Sequence, residues 1–177
     1  IIGSKDFITL FRGGAGTGKS YLLRRVQKVM TRAGVNSFTL APQRQQVVDL
    51  EKDGFSNTMT IAEFLQRKPL SQGEAIVVDE AGQMSLANTI AVAAAGTNLV
   101  LLGDPQQLDQ PLKGVHPPGA AASALGHLLV EDDTIPADRG LFLDTTWRLH
   151  PDVCRFTSEA FYDSKLSPRF DLGRQSI

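Results

Sequence analysis

A glycine-rich run at residues 13–20 constrains the fold of this chain more than any other feature. It reads GGAGTGKS, which is a glycine, four residues and then Gly-Lys-Ser. The apolar residues 7–11 before it are typical of a buried strand, and residues 20–33 after it carry apolar side chains at helical spacing. This order predicts a phosphate-binding loop, because glycines let consecutive backbone N–H groups surround a phosphate at the positive end of the helix.

The rest of the 177 residues continues the alternation of strand and helix patterns. Strands are predicted at residues 7–11, 37–41, 75–78, 99–102 and 141–143. Helices are predicted at residues 20–33, 86–95 and 120–129, and two further helices are predicted to begin at residues 42 and 151. In the last helix, Val153, Phe156, Ala160 and Phe161 fall on one face. Two strand patterns are continuous apolar runs, which suit strands covered on both sides. The predicted fold class is α/β, a P-loop NTPase domain with a mostly parallel central sheet and helices on both faces.

The glycine loop also predicts where a nucleoside triphosphate would bind. Lys19 would reach the β- and γ-phosphates of ATP, and the Ser20 hydroxyl would ligate Mg²⁺. The predicted nucleotide-binding residues are Gly13, Gly14, Ala15, Gly16, Thr17, Gly18, Lys19, Ser20 and Tyr21. The alternative is a strand-to-helix turn without a ligand, which the strong amphipathic helix after the loop disfavours.

Polar residues follow two of the apolar strands. Asp79 and Glu80 come after residues 75–78, where an Asp can hold Mg²⁺ through water and a neighbouring Glu can polarise the attacking water. Alone, such a pair is usually a solvated strand end. The sequence GDPQQL at residues 103–108 follows the next strand and places Gln106 and Gln107 near the nucleotide, because ligands of parallel sheets bind beyond the carboxyl ends of the strands.

These signatures resemble, in order and spacing, the motifs of superfamily 1 helicases. Lys19 and Ser20 match the family's first motif, Asp79 and Glu80 its second, residues 103–108 its third, and residues 145–151, TTWRLHP, its fourth. The likeness covers essentially the whole chain. It implies a RecA-like fold, and it implies that ATP hydrolysis drives movement along single-stranded DNA.

The resemblance assigns catalytic roles to four residues. Lys19 and Arg148 would contact the γ-phosphate, Glu80 would orient the attacking water, and Gln107 would couple the γ-phosphate to DNA. Ser20 and Asp79 would be the metal-binding residues, so the implied cofactors are ATP and Mg²⁺.

The same resemblance points to DNA contacts. Residues 39–46 and 58–64 look like motifs that touch the single strand, with Arg44 and Thr60 as candidates and a solvated helix surface as the alternative. The row of Arg24, Lys28 and Arg32 is more simply explained as a solvated helix face. Phe64 and Trp147 are candidates for base stacking. Core packing is the expected role of Phe64, and Trp147 could instead lie beside the nucleotide.

Finer likenesses divide the chain. From Asp79 onward, including residues 107–111, 116–118 and 156–166, it resembles helicase domains linked to RecB-like nucleases, whereas residues 7–83 look more like conjugative relaxase helicases. A nuclease or relaxase domain in the same polypeptide is therefore an expected partner. The family's adenine-reading segment has no match before Phe7. We expect residues 1–166 to be the first motor domain, truncated at its N-terminus, and residues 167–177 to begin a linker to a missing second motor domain.

Composition narrows the remaining classes. The lone Cys154 excludes an internal disulfide framework and fits a reducing compartment, hence the cytoplasm. Cys154 and His150 are expected to be structural. The longest apolar stretch, residues 90–102, is interrupted and too short to span a membrane.

Three classes of function stay open: an ATP-driven DNA helicase or translocase, a nucleotide-dependent binding switch, and a P-loop kinase. The Asp-Glu pair and the glutamine motif disfavour the kinase.

Overall fold

Among the residues that the structure describes, six strands form the central sheet, and every pair of neighbouring strands is parallel. The computed structural model describes residues 6–67, 74–107, 119, 122–129 and 134–174. The strands are β1 (Ile8–Arg12), β2 (Ser37–Ala41), β3 (Thr58–Thr60), β4 (Ala75–Val78), β5 (Asn98–Gly103) and β6 (Gly140–Phe142), in the spatial order β3-β2-β4-β5-β1-β6. The predicted α/β class is confirmed. The predictions for β2 and β4 match residue for residue, and the others are shifted or short by one or two residues at their ends.

The described residues form six α-helices, of which the first five lie between successive strands of this sheet and the sixth follows it. They are α1 (Lys19–Arg32), α2 (Arg44–Lys52), α3 (Ile61–Leu65), α4 (Leu86–Ala93), α5 (Ala124–Leu129) and α6 (Pro151–Phe161), with 3-10 turns at Ala81–Gln83 and Leu172–Arg174. The helix predicted from residue 42 begins at Arg44, because Gln43 forms a capping box with Gln46. The helix predicted from residue 120 begins at Ala124, where the Ser123 hydroxyl accepts the N–H of Gly126 at 3.0 Å.

Helices cover both faces of the sheet, as predicted. Alternate strand residues point to opposite sides. Leu10, Ile76 and Leu101 pack with residues of α3, α4 and α5, whereas Val77 and Val100 pack with residues of α1 and α2. Because the central strands β4 and β5 are buried on both faces, polar residues at their carboxyl ends stand out as candidates for function.

Two features were not predicted. The short strand β3 and helix α3 carry too few residues for a periodic signal. A second, two-stranded parallel sheet joins β7 (Thr145–Thr146) to β8 (Ser167–Pro168), and the Ser167 N–H donates to the Asp144 carbonyl at 2.7 Å. Strand β8 therefore lies just beyond residue 166, where the sequence places the end of the domain.

Helix α6 begins at Pro151 as predicted, with His150 as its N-cap. Its apolar face, however, is exposed: Phe156 is 69% accessible, and Val153 and Phe161 are also exposed. The helix instead buries Cys154, which packs with Tyr162 and Leu166. Cys154 is thus a packed structural residue.

Within the described residues, no helix is both long and apolar enough to cross a membrane. Residues 108–111 and 116–118, used in the resemblance above, lie outside the described residues, as do residues 120 and 121 of the predicted fifth helix.

Candidate nucleotide site

The glycine loop connects β1 to α1 in a conformation that requires glycine at two positions. Gly16 and Gly18 have φ angles of 72° and 79°, and Gly18 is the N-cap of α1. A Cβ on Gly16 would also lie 2.5 Å from the Cβ of Arg148. The Gly13 N–H donates to the Gly103 carbonyl at 3.2 Å, which fixes the start of the loop to the end of β5.

A cavity of about 630 Å³ opens over this loop. Its lining consists of Ala15, Gly16, Thr17, Gly18, Lys19, Ser20, Tyr21, Glu80, Gln107, Trp147 and Arg148. All four residues predicted to be catalytic line it, although they come from four separate segments. Of the predicted nucleotide-binding residues, Gly13 and Gly14 are absent from the lining.

Gly13 and Gly14 hold the loop lysine instead. The Lys19 Nζ donates to the Gly13 carbonyl at 3.0 Å and to the Gly14 carbonyl at 3.2 Å. The Thr17 hydroxyl also donates to the Gly14 carbonyl, at 2.9 Å. The ammonium is therefore fixed beside the cavity by the loop itself, where an anionic ligand can compete for it.

The acidic pair lies at the end of the buried strand β4. Burial, and next to it the charge of Glu80, raises the pKa of Asp79 to about 6. The Asp79 Oδ1 is buried and has no hydrogen-bond partner within the described part of the chain. Glu80 has a φ of 53°, unusual for a residue other than glycine, and its side chain lines the cavity.

These residues fit Mg²⁺. The described residues contain no cluster of three or more His, Cys, Asp or Glu side chains that could hold a metal. The predicted metal-binding residues would hold an ion here through the Asp79 carboxylate and the Ser20 hydroxyl, with phosphate oxygens and water completing its shell. This is the way in which Mg²⁺ is usually held, and the unpaired Asp79 Oδ1 is a suitable donor. Ser20 lines the cavity, whereas Asp79 is not among its lining residues.

The segment at residues 145–151 packs against the glycine loop. The Trp147 N–H donates to the Gly16 carbonyl at 2.8 Å. The fully buried Thr146 donates its hydroxyl to the Ala15 carbonyl at 3.2 Å and accepts the N–H of Arg148 at 3.3 Å. These bonds bring Arg148 to the cavity. Nothing in the sequence distinguished Thr146 from its neighbour Thr145.

Two aromatic side chains line the cavity and are exposed. Trp147 is 56% accessible, and the Arg169 guanidinium lies 4.4 Å from its ring centroid. Tyr21 is 65% accessible. Phe64, the other predicted stacking candidate, is buried in the core.

The predicted DNA-contacting residues lie at the same edge of the sheet as the glycine loop. Arg44 begins α2 after β2, and Thr60 ends β3. Both contact Glu63: the Thr60 hydroxyl accepts its N–H at 3.2 Å, and the Arg44 guanidinium lies 3.6 Å from its carboxylate. On helix α1, Arg24 donates to the Asp53 carbonyl at 2.8 Å. This bond favours a structural role for Arg24 over a contact with DNA.

A buried polar cluster beneath the cavity was not predicted from the sequence. The Tyr162 hydroxyl donates to the Asp104 Oδ2 at 2.5 Å, and the Arg12 Nε lies 3.6 Å from the Asp104 Oδ1. All three side chains are at least 95% buried. Burial and the hydrogen bond to Asp104 raise the pKa of Tyr162 well above its usual range. We call these residues the Arg12–Asp104–Tyr162 cluster.

The fold and the site together define a RecA-like α/β domain with a P-loop. The AAA_30 family model, described as an AAA domain, matches residues 1–127. The chain belongs to this family, and its architecture is that of a RecA-like domain. The helicase Sen1 of Schizosaccharomyces pombe is 32% identical over 92 residues, which are 51% of this chain and 5% of Sen1. The chain thus spans only a small part of that relative.

Solved helicase structures share the fold. The PRRSV helicase has a TM-score of 0.61 at 19% identity, over 91% of this chain and 35% of that one. The arterivirus nonstructural protein 10 helicase, solved in complex with DNA, has a TM-score of 0.62 at 15% identity, over 92% and 42% of the two chains. At these identities the likeness establishes the architecture.

Proposed function

We propose that this chain is the first motor domain of a superfamily 1 helicase, which binds Mg-ATP in the cavity over the glycine loop. The observation that carries the proposal is the convergence of Lys19, Glu80, Gln107 and Arg148 on one cavity. These four groups suit the chemistry of phosphate transfer, and the fold brings them together from four separate segments.

The roles follow from position. Backbone N–H groups of the loop would bind the β-phosphate, and Lys19 would leave the Gly13 and Gly14 carbonyls to bind the β- and γ-phosphates. Glu80 would orient the attacking water, while Lys19 and Arg148 would stabilise the charge that develops on the γ-phosphate. Mg²⁺ held by Ser20 and Asp79 would neutralise phosphate charge.

The exposed aromatic residues give the cavity a site for the nucleobase. Trp147 and Tyr21 line the cavity and are exposed, and stacking on an aromatic ring tolerates any base. Neither ring needs to move out of the core to make the contact.

Single-stranded DNA is the proposed track. Arg44 follows β2 and Thr60 ends β3, so both lie at the carboxyl ends of the strands, where the glycine loop also lies. A DNA strand bound there would run along the same side of the sheet as the nucleotide. We further propose that movement requires a second RecA-like domain in the longer protein, and that a nuclease or relaxase domain accompanies it.

The test is nucleotide binding and ATP turnover by this chain, with and without single-stranded DNA. Trp147 is the only tryptophan, so its fluorescence reports occupancy of the cavity. We expect Mg-ATP binding that Lys19→Ala weakens at least a hundredfold, with little turnover. Absence of binding by the unmodified chain would contradict the proposal. DNA-stimulated turnover by this chain alone would contradict the need for a second domain.

The alternative function is a nucleotide-dependent switch for DNA or protein binding. Assays of the longer protein distinguish this switch from a motor. A motor hydrolyses ATP faster when DNA is added, whereas a switch changes its affinity for its partner without accelerated turnover.

A further inference from the structure

The Arg12–Asp104–Tyr162 cluster connects the end of α6 to two segments that lead into the nucleotide cavity. Arg12 ends β1 immediately before the glycine loop, Asp104 follows β5, and Tyr162 follows the last residue of α6. The guanidinium of Arg12 lies 5.3 Å from the centroid of the Tyr162 ring, so each member contacts the other two.

Asp104 holds the turn that carries Gln107. Its Oδ1 accepts the N–H of Gln106 at 3.1 Å, and its carbonyl accepts the N–H of Gln107 at 3.2 Å. Its Oδ2 accepts the Tyr162 hydroxyl. The carboxylate and the main-chain carbonyl of Asp104 therefore hold the backbone of residues 106 and 107, and Gln107 lines the cavity from this turn.

Tyr162 also contacts the glycine loop. A Cβ on Gly14 would lie 2.8 Å from the Tyr162 hydroxyl oxygen, so the phenol fills the space behind the loop. One side chain thus touches both the loop that binds phosphate and the residue that orients Gln107.

A purely stabilising role explains this cluster poorly. Burying a carboxylate and a guanidinium costs desolvation energy, and apolar residues of the same volume often stabilise a fold equally well. Directional bonds do provide something that apolar packing lacks, namely a fixed orientation of the groups that they join.

We propose that Tyr162 is a positioning residue: through Asp104 it fixes Gln107 where Gln107 can bind the γ-phosphate. The inference rests on the proposed function. It predicts that the Tyr162 hydroxyl contributes to the preference for a nucleoside triphosphate over a diphosphate, although it touches neither.

The test compares the affinities of the chain for Mg-AMPPNP and Mg-ADP, measured by Trp147 fluorescence. Tyr162→Phe removes only the hydroxyl. We expect the preference for AMPPNP to fall about tenfold, as for the loss of one hydrogen bond to a charged group. Gln107→Ala should cause a similar fall, and the double variant should lose no more than either single variant.

Ser158→Ala is the matched control. Its hydroxyl accepts the N–H of Leu166 at 2.9 Å and is also a buried hydrogen-bonding group of α6, but no bond links it to Asp104. It should lower Tm and leave the nucleotide preference unchanged.

An unchanged preference in Tyr162→Phe, or additive losses in the double variant, would overturn the inference. So would a parent chain that binds the two nucleotides equally. A parent chain that binds neither nucleotide would refute the proposed function itself, and the inference would fall with it.

Discussion

The main-chain N–H of Trp147 donates a 2.8 Å hydrogen bond to the carbonyl of Gly16. This bond joins the segment that carries Arg148 to the middle of the phosphate loop. Because both partners are backbone groups, the arrangement depends on the conformations of the two segments. Substitutions that disturb either segment should therefore alter the geometry of the nucleotide site.

Thr146→Val should destabilise the domain by about 1 kcal/mol, because it removes a buried hydroxyl that bonds the Ala15 carbonyl and the Arg148 N–H. Urea unfolding measures the change. Thr145→Val is the matched control, since the Thr145 hydroxyl bonds only at the surface, to Asp144, and should cost less than 0.5 kcal/mol. Equal losses in the two variants would contradict the bracing role of Thr146.

Gly16→Ala and Gly18→Ala separate backbone strain from crowding. Both positions have positive φ, so each substitution should cost about 1 kcal/mol. A Cβ at Gly16 also meets Arg148, whereas nothing lies within 4 Å of one at Gly18. We expect Gly16→Ala to cost at least 1 kcal/mol more in the free energy of unfolding. Indistinguishable unfolding curves would show that Arg148 does not pack on the loop.

Asp79→Asn should stabilise the nucleotide-free chain above pH 6. The folded-state pKa is raised from 3.8 to about 6, so folding disfavours the ionised form. The contribution of Asp79 to stability is therefore greatest below about pH 4, falls as pH rises through 6, and stays low above it. The advantage of the variant should be larger at pH 8 than at pH 5 by about 1 kcal/mol, measured by urea unfolding. A pH-independent difference would show that Asp79 is ordinarily solvated.

Glu80→Gln should keep nucleotide affinity within about threefold and slow hydrolysis at least about a hundredfold, because an amide cannot accept a proton from the attacking water. Single-turnover hydrolysis with protein in excess detects even a slow reaction. Glu159→Gln, at an exposed position on α6, is the control and should change neither quantity. Hydrolysis at the parental rate would remove Glu80 from the proposed mechanism.

Much of the fold and of the cavity lining follows from local sequence. The phosphate loop, the strand before it and the helix after it are encoded by consecutive residues, and so are the acidic pair at the end of β4 and the start of α6 at Pro151. These predictions needed only periodicity, glycine spacing and the rule that parallel sheets bind ligands at one edge.

Long-range relationships could not be predicted in this way. Arg12, Asp104 and Tyr162 have no common spacing in the sequence, and only the folded chain brings them together. Val153, Phe156 and Phe161 show the limit of periodicity itself, since an apolar stripe has the same spacing whether it faces the core or water. Strand β3 and helix α3 are too short to produce a pattern.

The strand order has a consequence for how the protein is made. Strand β1 leads into the phosphate loop, yet it lies between β5 and β6, which begin at Asn98 and Gly140. During synthesis on the ribosome, β1 cannot pair with a neighbouring strand until more than half of this chain has been made. The loop acquires its hydrogen bond from Gly13 to Gly103 equally late. A nascent product that ends before residue 103 would therefore lack the hydrogen bond that anchors the glycine loop to β5.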